Sequence, residues 1–152
     1  MQYSAVMKKI HLIAVLLCLF AAAEAQVNYL TTDHFKSDIF DYTAEREWCF
    51  AGQKPVVIDF YTVWCGPCKR LAPIMEELSH QYKGQVTFYK ADTEQERELA
   101  AVFRISSIPQ VLYIPVQGQP MLLKGLYPKE DIIRIIDEFL IGKPAKESTQ
   151  EK

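Results

Sequence analysis

The sequence lacks an excess of charge of either sign. Its 17 lysines and arginines are nearly matched by 19 aspartates and glutamates, and the formal net charge is -2. It contains no long run of like charges and no internal repeat. Nucleic acids are bound by clustered basic side chains, so we predict no nucleic acid partner.

Cysteine is also scarce, with four residues in a chain of 152. Cys65 and Cys68 are too close in sequence to staple a fold, so no structural disulfide framework is predicted. A zinc site needs four ligands, which this single C-x-x-C pair, Cys49 and the scattered histidines do not supply at the usual spacing. We predict no metal and no cofactor, and we expect Cys49 to be a small, buried apolar residue.

No apolar run is long enough to cross a bilayer. Residues 10–23 are almost wholly apolar for about 14 residues, whereas a membrane-spanning helix needs roughly 20. Two lysines precede this run and Ala23-Glu24-Ala25 follows it, a pattern typical of a secretory signal peptide. We predict that residues 1–25 form such a peptide, cleaved after Ala25, and that the protein is exported to the periplasm. A buried amino-terminal helix is the alternative.

The remaining chain is rich in patterned apolar residues. Runs of β-branched and aromatic side chains predict strands over residues 27–30, 56–61, 86–91, 111–114 and 121–124. Apolar residues at helical spacing predict helices over residues 31–50, 65–83, 93–103 and 128–140.

The order β-α-β-α-β-α-β-β-α indicates an α/β fold, with a central mixed β-sheet flanked by helices on both faces. Thr93 and Glu96 form a capping box for the third helix. We predict one domain over residues 26–142, followed by a polar, disordered tail over residues 143–152.

The run Trp64-Cys65-Gly66-Pro67-Cys68-Lys69 lies where a strand passes into a helix. Free N–H groups and the helix dipole favour an anion at a helix start, so Cys65 is predicted to be the thiolate nucleophile. Cys68 lies one turn inward, should be more buried, and would resolve a mixed disulfide. A proline between the cysteines removes a donor to the thiolate, which favours a reductant.

This run, together with four other features, resembles the thioredoxin family over nearly all of residues 26–142. Residues 57–69 are similar to the family's central strand and active-site loop, and Ile108-Pro109 to its cis-proline loop. Further matching positions are Pro73, Gly118 and Gly125. The resemblance implies a thioredoxin fold and a thiol–disulfide oxidoreductase.

The resemblance also implies roles for single residues. Asp59 would take a proton from Cys68 through water, and Lys90 would lie near that aspartate. Residues implied in substrate binding are Trp64, Gly66, Pro67, Ile108, Pro109 and Gly125. Gln110 and Lys124 depart from the family's usual residues and are expected on the substrate surface.

Among the family's members, the chain resembles an exported, periplasmic bacterial thioredoxin that reduces protein disulfides. Its expected partners are disulfide-containing client proteins and a membrane thiol transporter that supplies electrons, and the protein is expected to be a monomer. The alternatives are a disulfide oxidase or isomerase, and a non-catalytic binding or chaperone module that retains the fold.

Overall fold

A computed structural model describes residues 26–143, so the predicted signal peptide and residues 144–152 of the predicted tail lie outside the described residues. The strands are β1 (Asn28–Tyr29), β2 (Val56–Tyr61), β3 (Thr87–Asp92), β4 (Gln110–Ile114) and β5 (Met121–Lys124). The helices are α1 (Thr32–Asp38), α2 (Gly66–Gln81), α3 (Arg97–Val102) and α4 (Lys129–Ile135), which continues as a π-helical turn over Ile136–Leu140. The predicted order of elements is confirmed.

The strands form one mixed sheet in the order β1-β3-β2-β4-β5. β3 pairs in parallel with both β1 and β2, whereas β4 pairs antiparallel with both β2 and β5. β2 therefore lies in the middle, and its first five residues are buried. A strand that is covered on both faces reads as a continuous apolar run, which is the reason the sequence reveals it so clearly.

Alternate residues of the central strands enter two separate cores. The core that α2 and α4 cover includes Val57, Leu71, Met75, Leu78, Val111, Tyr113, Ile132 and Ile136. The core that α1 and α3 cover includes Phe35, Ile58, Phe60, Leu99, Leu112 and Ile114. Helices thus flank the mixed sheet on both faces, as predicted. No helix within residues 26–143 is long and apolar enough to cross a membrane.

The first helix ends at Asp38, well before the predicted end near residue 50. Asp41 explains part of the difference, because its carboxylate accepts the backbone N–H groups of Thr43 and Ala44 at 2.9 and 3.3 Å. Side chains that capture nearby N–H groups in this way offer the backbone an alternative to a helix.

Cys49 is exposed and free, so the prediction that it is buried is wrong. The early end of α1 leaves Cys49 outside any helix, between Trp48 and Phe50. Both aromatic side chains are partly buried and pack against the core on the α1 side. Cys49 lies between these two partly buried side chains, and its own side chain is exposed to solvent.

The predicted capping box is also wrong, although a helix does follow it. Glu96 accepts from the backbone N–H of Thr32 at 2.7 Å and from its hydroxyl at 2.6 Å, across 64 residues of sequence. The hydroxyl of Thr93 donates instead to the carbonyl oxygen of Tyr61 at 3.4 Å. Glu96 therefore joins the start of α1 to the start of α3.

Replacing this carboxylate should weaken the fold measurably. We expect Glu96→Ala to lower the free energy of unfolding by about 1.5–3 kcal/mol, because two hydrogen bonds to a charged acceptor are lost. Urea unfolding followed by circular dichroism measures the change. Glu45→Ala, at an exposed position, is the control and should stay within about 0.5 kcal/mol of wild type. Equal effects of the two variants would contradict the proposed tie between α1 and α3.

Candidate active site

Cys65 and Cys68 are joined in a disulfide at the amino-terminal end of α2, with their Cα atoms 5.3 Å apart. Cys65 is the N-cap of the helix, and its sulfur accepts the backbone N–H of Cys68 at 3.2 Å. Among residues 26–143, this is the one hydrogen bond recorded to that sulfur. A donor aimed at Sγ of Cys65 is placed to stabilise a thiolate after reduction.

Burial does not distinguish the two cysteines in this disulfide form. Cys65 is 4 % exposed and Cys68 is 3 % exposed, so the two cysteines are buried almost equally in the disulfide form. The covalent bond holds both sulfurs together under the start of α2. The two cysteines differ in hydrogen bonding, because within residues 26–143 an N–H group donates to Sγ of Cys65 and none donates to Sγ of Cys68.

Asp59 lies in β2 and is 4 % exposed. It shares a face of the sheet with Val57, the face that α2 covers. Its Oδ1 atom has no hydrogen-bond partner among the described residues. Burial removes water from the carboxylate and raises the pKa of Asp59 to about 7, although the nearby charge of Lys90 acts in the opposite direction.

Lys90 pairs with Asp59 in the register of β2 and β3. Its ammonium nitrogen is 4.0 Å from Oε1 of Glu76 and 4.3 Å from the ring centroid of Tyr29. Within residues 26–143 no ion pair within 4.0 Å joins Lys90 to Asp59. Lys90 therefore acts on Asp59 through its field rather than through a direct contact.

The peptide bond between Ile108 and Pro109 is cis, a point that the sequence left open. The carbonyl oxygen of Pro109 accepts the backbone N–H of Gly125 at 2.8 Å. Gly125 has a φ of +98° and open space where a side chain would begin. Glycine adopts this backbone conformation readily, so its presence here has a conformational reason rather than a steric one.

The register of the sheet brings these parts to one edge. Phe60 pairs with Gln110, so the start of antiparallel β4 lies beside the end of β2. Pro109 precedes β4, and Cys65 follows β2 by four residues. The cis peptide and the disulfide are thus carried by neighbouring strands.

Exposed apolar side chains lie close to the disulfide in sequence. Trp64 and Val63 are each 65 % exposed, and Gly66 and Pro67 are also exposed. The indole N–H of Trp64 donates to Oε1 of Glu94 at 3.1 Å. Exposed apolar surface of this kind is typical of a binding site for other proteins.

A second apolar feature, which the sequence patterns did not indicate, lies beside Gly125. A cavity of about 290 Å³ is lined by Arg70, Ile74, Leu126, Tyr127 and Pro128. Its walls come from the first turns of α2 and from the segment after β5. The sequence does show apolar residues soon after Cys68 and directly after Gly125, and these could have indicated an apolar surface near the disulfide.

Gln110 is completely buried, so its predicted place on the substrate surface is wrong. The physical reason is that β4 begins at Gln110, one residue earlier than predicted, between β2 and β5. Lys124 is exposed, as expected. No group of three or more metal-ligating side chains is found within residues 26–143.

Comparisons with known proteins agree on one family. A family model described as Thioredoxin matches residues 26–138. A thioredoxin of Borreliella burgdorferi is 42% identical over 110 residues, which cover 72% of this chain and 94% of the relative. A thioredoxin of Staphylococcus aureus is 36% identical over 85 residues, which cover 55% of this chain and 81% of that protein.

A more distant relative is the chloroplastic M-type thioredoxin of Spinacia oleracea, 34% identical over 95 residues, or 62% of this chain and 52% of the relative. Among solved structures, chloroplastic thioredoxin z superposes with a TM-score of 0.62 at 23% identity, covering 73% of this chain and 91% of that one. This likeness shows that the two chains share a fold.

The burial of Asp59 generates a prediction about pH. Because the pKa is raised from 3.8 to about 7 in the folded protein, the folded state binds more protons than the unfolded state between these values. The contribution of Asp59 to stability should therefore be greatest below pH 4, fall as the pH rises towards 7, and stay constant above it. We expect Asp59→Asn to remove this fall, and to raise the free energy of unfolding above pH 8 by on the order of 2–4 kcal/mol.

Denaturant unfolding of the oxidised protein at a series of pH values measures the effect. Lys90→Gln provides a companion variant, because loss of the ammonium should raise the pKa of Asp59 further and move the fall in stability to higher pH. If wild type and Asp59→Asn have parallel profiles between pH 4 and 8, the carboxyl does not titrate as described.

Proposed function

The chain belongs to the thioredoxin family, and from this premise we propose that it reduces protein disulfides outside the cytoplasm by dithiol–disulfide exchange. The protein is a thiol–disulfide oxidoreductase, and Cys65 and Cys68 form its redox-active pair. The proposal depends mainly on one observation. The disulfide lies at the start of a helix, where an N–H group points at Sγ of Cys65.

The reaction begins from the reduced protein. The Cys65 thiolate attacks one sulfur of a client disulfide, a Cys65–client disulfide forms, and the other client sulfur leaves as a thiolate. Cys68 then attacks Sγ of Cys65, which closes the bond seen in the structure and releases the second client sulfur. Two electrons pass from the cysteine pair to the client.

We assign to Asp59 the role of accepting the proton of the Cys68 thiol. A carboxylate with a pKa of about 7 can accept a proton near neutral pH and release it again. Asp59 lies on the face of β2 that α2 covers, and Cys68 lies in the first turn of that helix. Lys90 tunes this group by its positive charge.

Client binding is assigned to the surface around the disulfide. The cis Ile108–Pro109 segment presents backbone groups to which an extended client segment can add as a strand. Trp64, Gly66 and Pro67 supply exposed surface on one side, and Gly125 leaves open space on the other.

The direction of electron flow is proposed from the residues between the cysteines. Pro67 has no N–H, so it cannot donate to the Cys65 thiolate. A thiolate with fewer donors is less stable, which makes the reduced protein a better electron donor. A reductant that works outside the cytoplasm needs electrons from within, and we propose that a membrane thiol transporter supplies them to a monomeric protein. The proposed export rests on residues 1–25 alone.

The redox potential tests this direction. We expect a value near about -270 mV by equilibration with glutathione, and a value near about -120 mV would favour the oxidase alternative. Pro67→Ala restores an N–H and should raise the potential by about 10–30 mV. Gly66→Ala is the matched control, because it keeps its N–H and a Cβ there meets nothing within 4 Å. It should leave the potential unchanged.

Trapping of mixed disulfides tests the function in the cell. Cys68→Ser should stall as a disulfide with both clients and the electron donor, because the resolving sulfur is gone. The exposed thiol of Cys49 could form such adducts itself, so the full-length chain also carries Cys49→Ser. Adducts are isolated from the cell envelope and identified by mass spectrometry.

The control for this experiment exchanges Cys65 as well, and it should trap nothing. The trapped protein should begin at Gln26 if the signal peptide is cleaved as proposed. Recovery of no Cys65-dependent adducts from the envelope would contradict the reductase role there. An uncleaved chain found inside the cell would contradict the location alone.

A further inference from the structure

We propose that Gln110 is a positioning residue for client binding: its buried amide holds the segment before the cis peptide in place, so that the backbone of Ile108 is ready to pair with a client. The inference rests on the proposed function, in which the Ile108–Pro109 segment receives the client.

The amide of Gln110 reaches back over the cis peptide. Its Nε2 group donates to the carbonyl oxygen of Ser107 at 2.7 Å and lies 3.3 Å from the hydroxyl of the same residue. A carbonyl oxygen accepts hydrogen bonds but never donates them, so the nitrogen must be the atom that faces Ser107. The bond closes a short loop that contains Ile108 and Pro109.

The same amide is poorly explained as a contribution to stability. Gln110 is 0% exposed, and its Oε1 atom has no partner among the described residues. A buried amide oxygen without a partner costs free energy that an apolar side chain of similar volume would avoid. Ser107 is exposed, so water could satisfy its carbonyl oxygen in place of Gln110. A restraint on the loop explains why the amide is there.

A second tie comes from the neighbouring strand. Lys124 pairs with Gln110 in the register of β4 and β5, and its ammonium group donates to the hydroxyl of Ser106 at 3.4 Å. Gly125, the next residue, donates its N–H to the carbonyl oxygen of Pro109 at 2.8 Å. The segment is therefore tied on both sides of Ile108.

Ile108 itself forms no backbone hydrogen bond recorded within residues 26–143. Its N–H and carbonyl groups are thus available for strand addition, while its neighbours are fixed. Ordering a binding segment in advance lowers the entropy that a client must lose on binding. Gln110 would therefore act on the affinity for peptide chains rather than on the reactivity of Cys65.

The test compares a protein disulfide with a small one in Gln110→Met, which keeps the volume and removes the amide. With insulin as substrate and dithiothreitol as the reductant that restores the Cys65–Cys68 dithiol, we expect KM to rise about three- to tenfold with kcat nearly unchanged, as the loss of one hydrogen bond allows. With 5,5′-dithiobis(2-nitrobenzoate), which has no peptide backbone, the rate should change less than twofold. The backbone N–H of Gly125, which donates to the carbonyl oxygen of Pro109, should exchange faster, as measured by NMR.

Two variants serve as controls. Leu112→Met changes a buried residue on the same face of β4, away from the loop, and should alter neither substrate's kinetics. Ser107→Ala removes the hydroxyl but keeps the carbonyl that accepts at 2.7 Å, so it should behave much like wild type.

Lys124→Met tests the second tie. The side chain of Lys124 is exposed, and loss of its bond to Ser106 should raise KM for insulin about twofold.

If Gln110→Met loses activity equally towards insulin and towards the small disulfide, the proposal is overturned, because the substitution would then affect the reactivity of the cysteines. An unchanged KM for insulin in Gln110→Met would overturn it as well. If Gln110→Met does not fold, Gln110→Asn is compared on the same two substrates, because its amide is one methylene too short to reach Ser107. A wild-type protein that reduces neither substrate would instead contradict the proposed function.

Discussion

The register of β2 between its two neighbours is the constraint on which the site depends. Parallel pairing with β3 places Lys90 beside Asp59, and antiparallel pairing with β4 places the start of that strand beside the end of β2. The chain then leaves β2 and forms the disulfide at the start of α2. A slip of one residue would turn Asp59 towards the opposite core and would separate it from the helix that carries Cys68. Chemistry and packing are thus fixed by the same hydrogen bonds.

This arrangement has a cost that is visible at two positions. Asp59 and Gln110 are both buried polar residues with an oxygen that lacks a partner in the described part of the chain. Each lies on a strand that is otherwise apolar. An aliphatic residue at either position would avoid the free-energy cost of burying an unpaired polar group. Buried polar groups that remain unsatisfied tend to mark places where function rather than stability selects the residue. The two residues face opposite cores, so the tasks proposed for them are physically separate.

Local patterns in the sequence predicted much of this molecule. The run of residues 56–61 matches β2 residue for residue, because a strand buried on both faces has a continuous apolar signature. The C-x-x-C pair was placed at the start of α2 for a similar reason, since strand and helix patterns meet there. Contacts over long distances in sequence were not predictable: Glu96 binds Thr32 rather than capping its own helix. Gln110 was misplaced because its burial depends on two neighbouring strands rather than on its own sequence context.

The outermost strands are short, and this has a bearing on how the protein coexists with its own copies. β1 contains two residues and β5 contains four, whereas the strands between them contain five or six. The unpaired backbone groups along a sheet margin can recruit a strand from another molecule and seed aggregates. Here β1 pairs with β3 at only two positions, and β5 ends at the charged side chain of Lys124. Short outer strands therefore leave little room for a strand from another molecule to pair at the margins of the sheet.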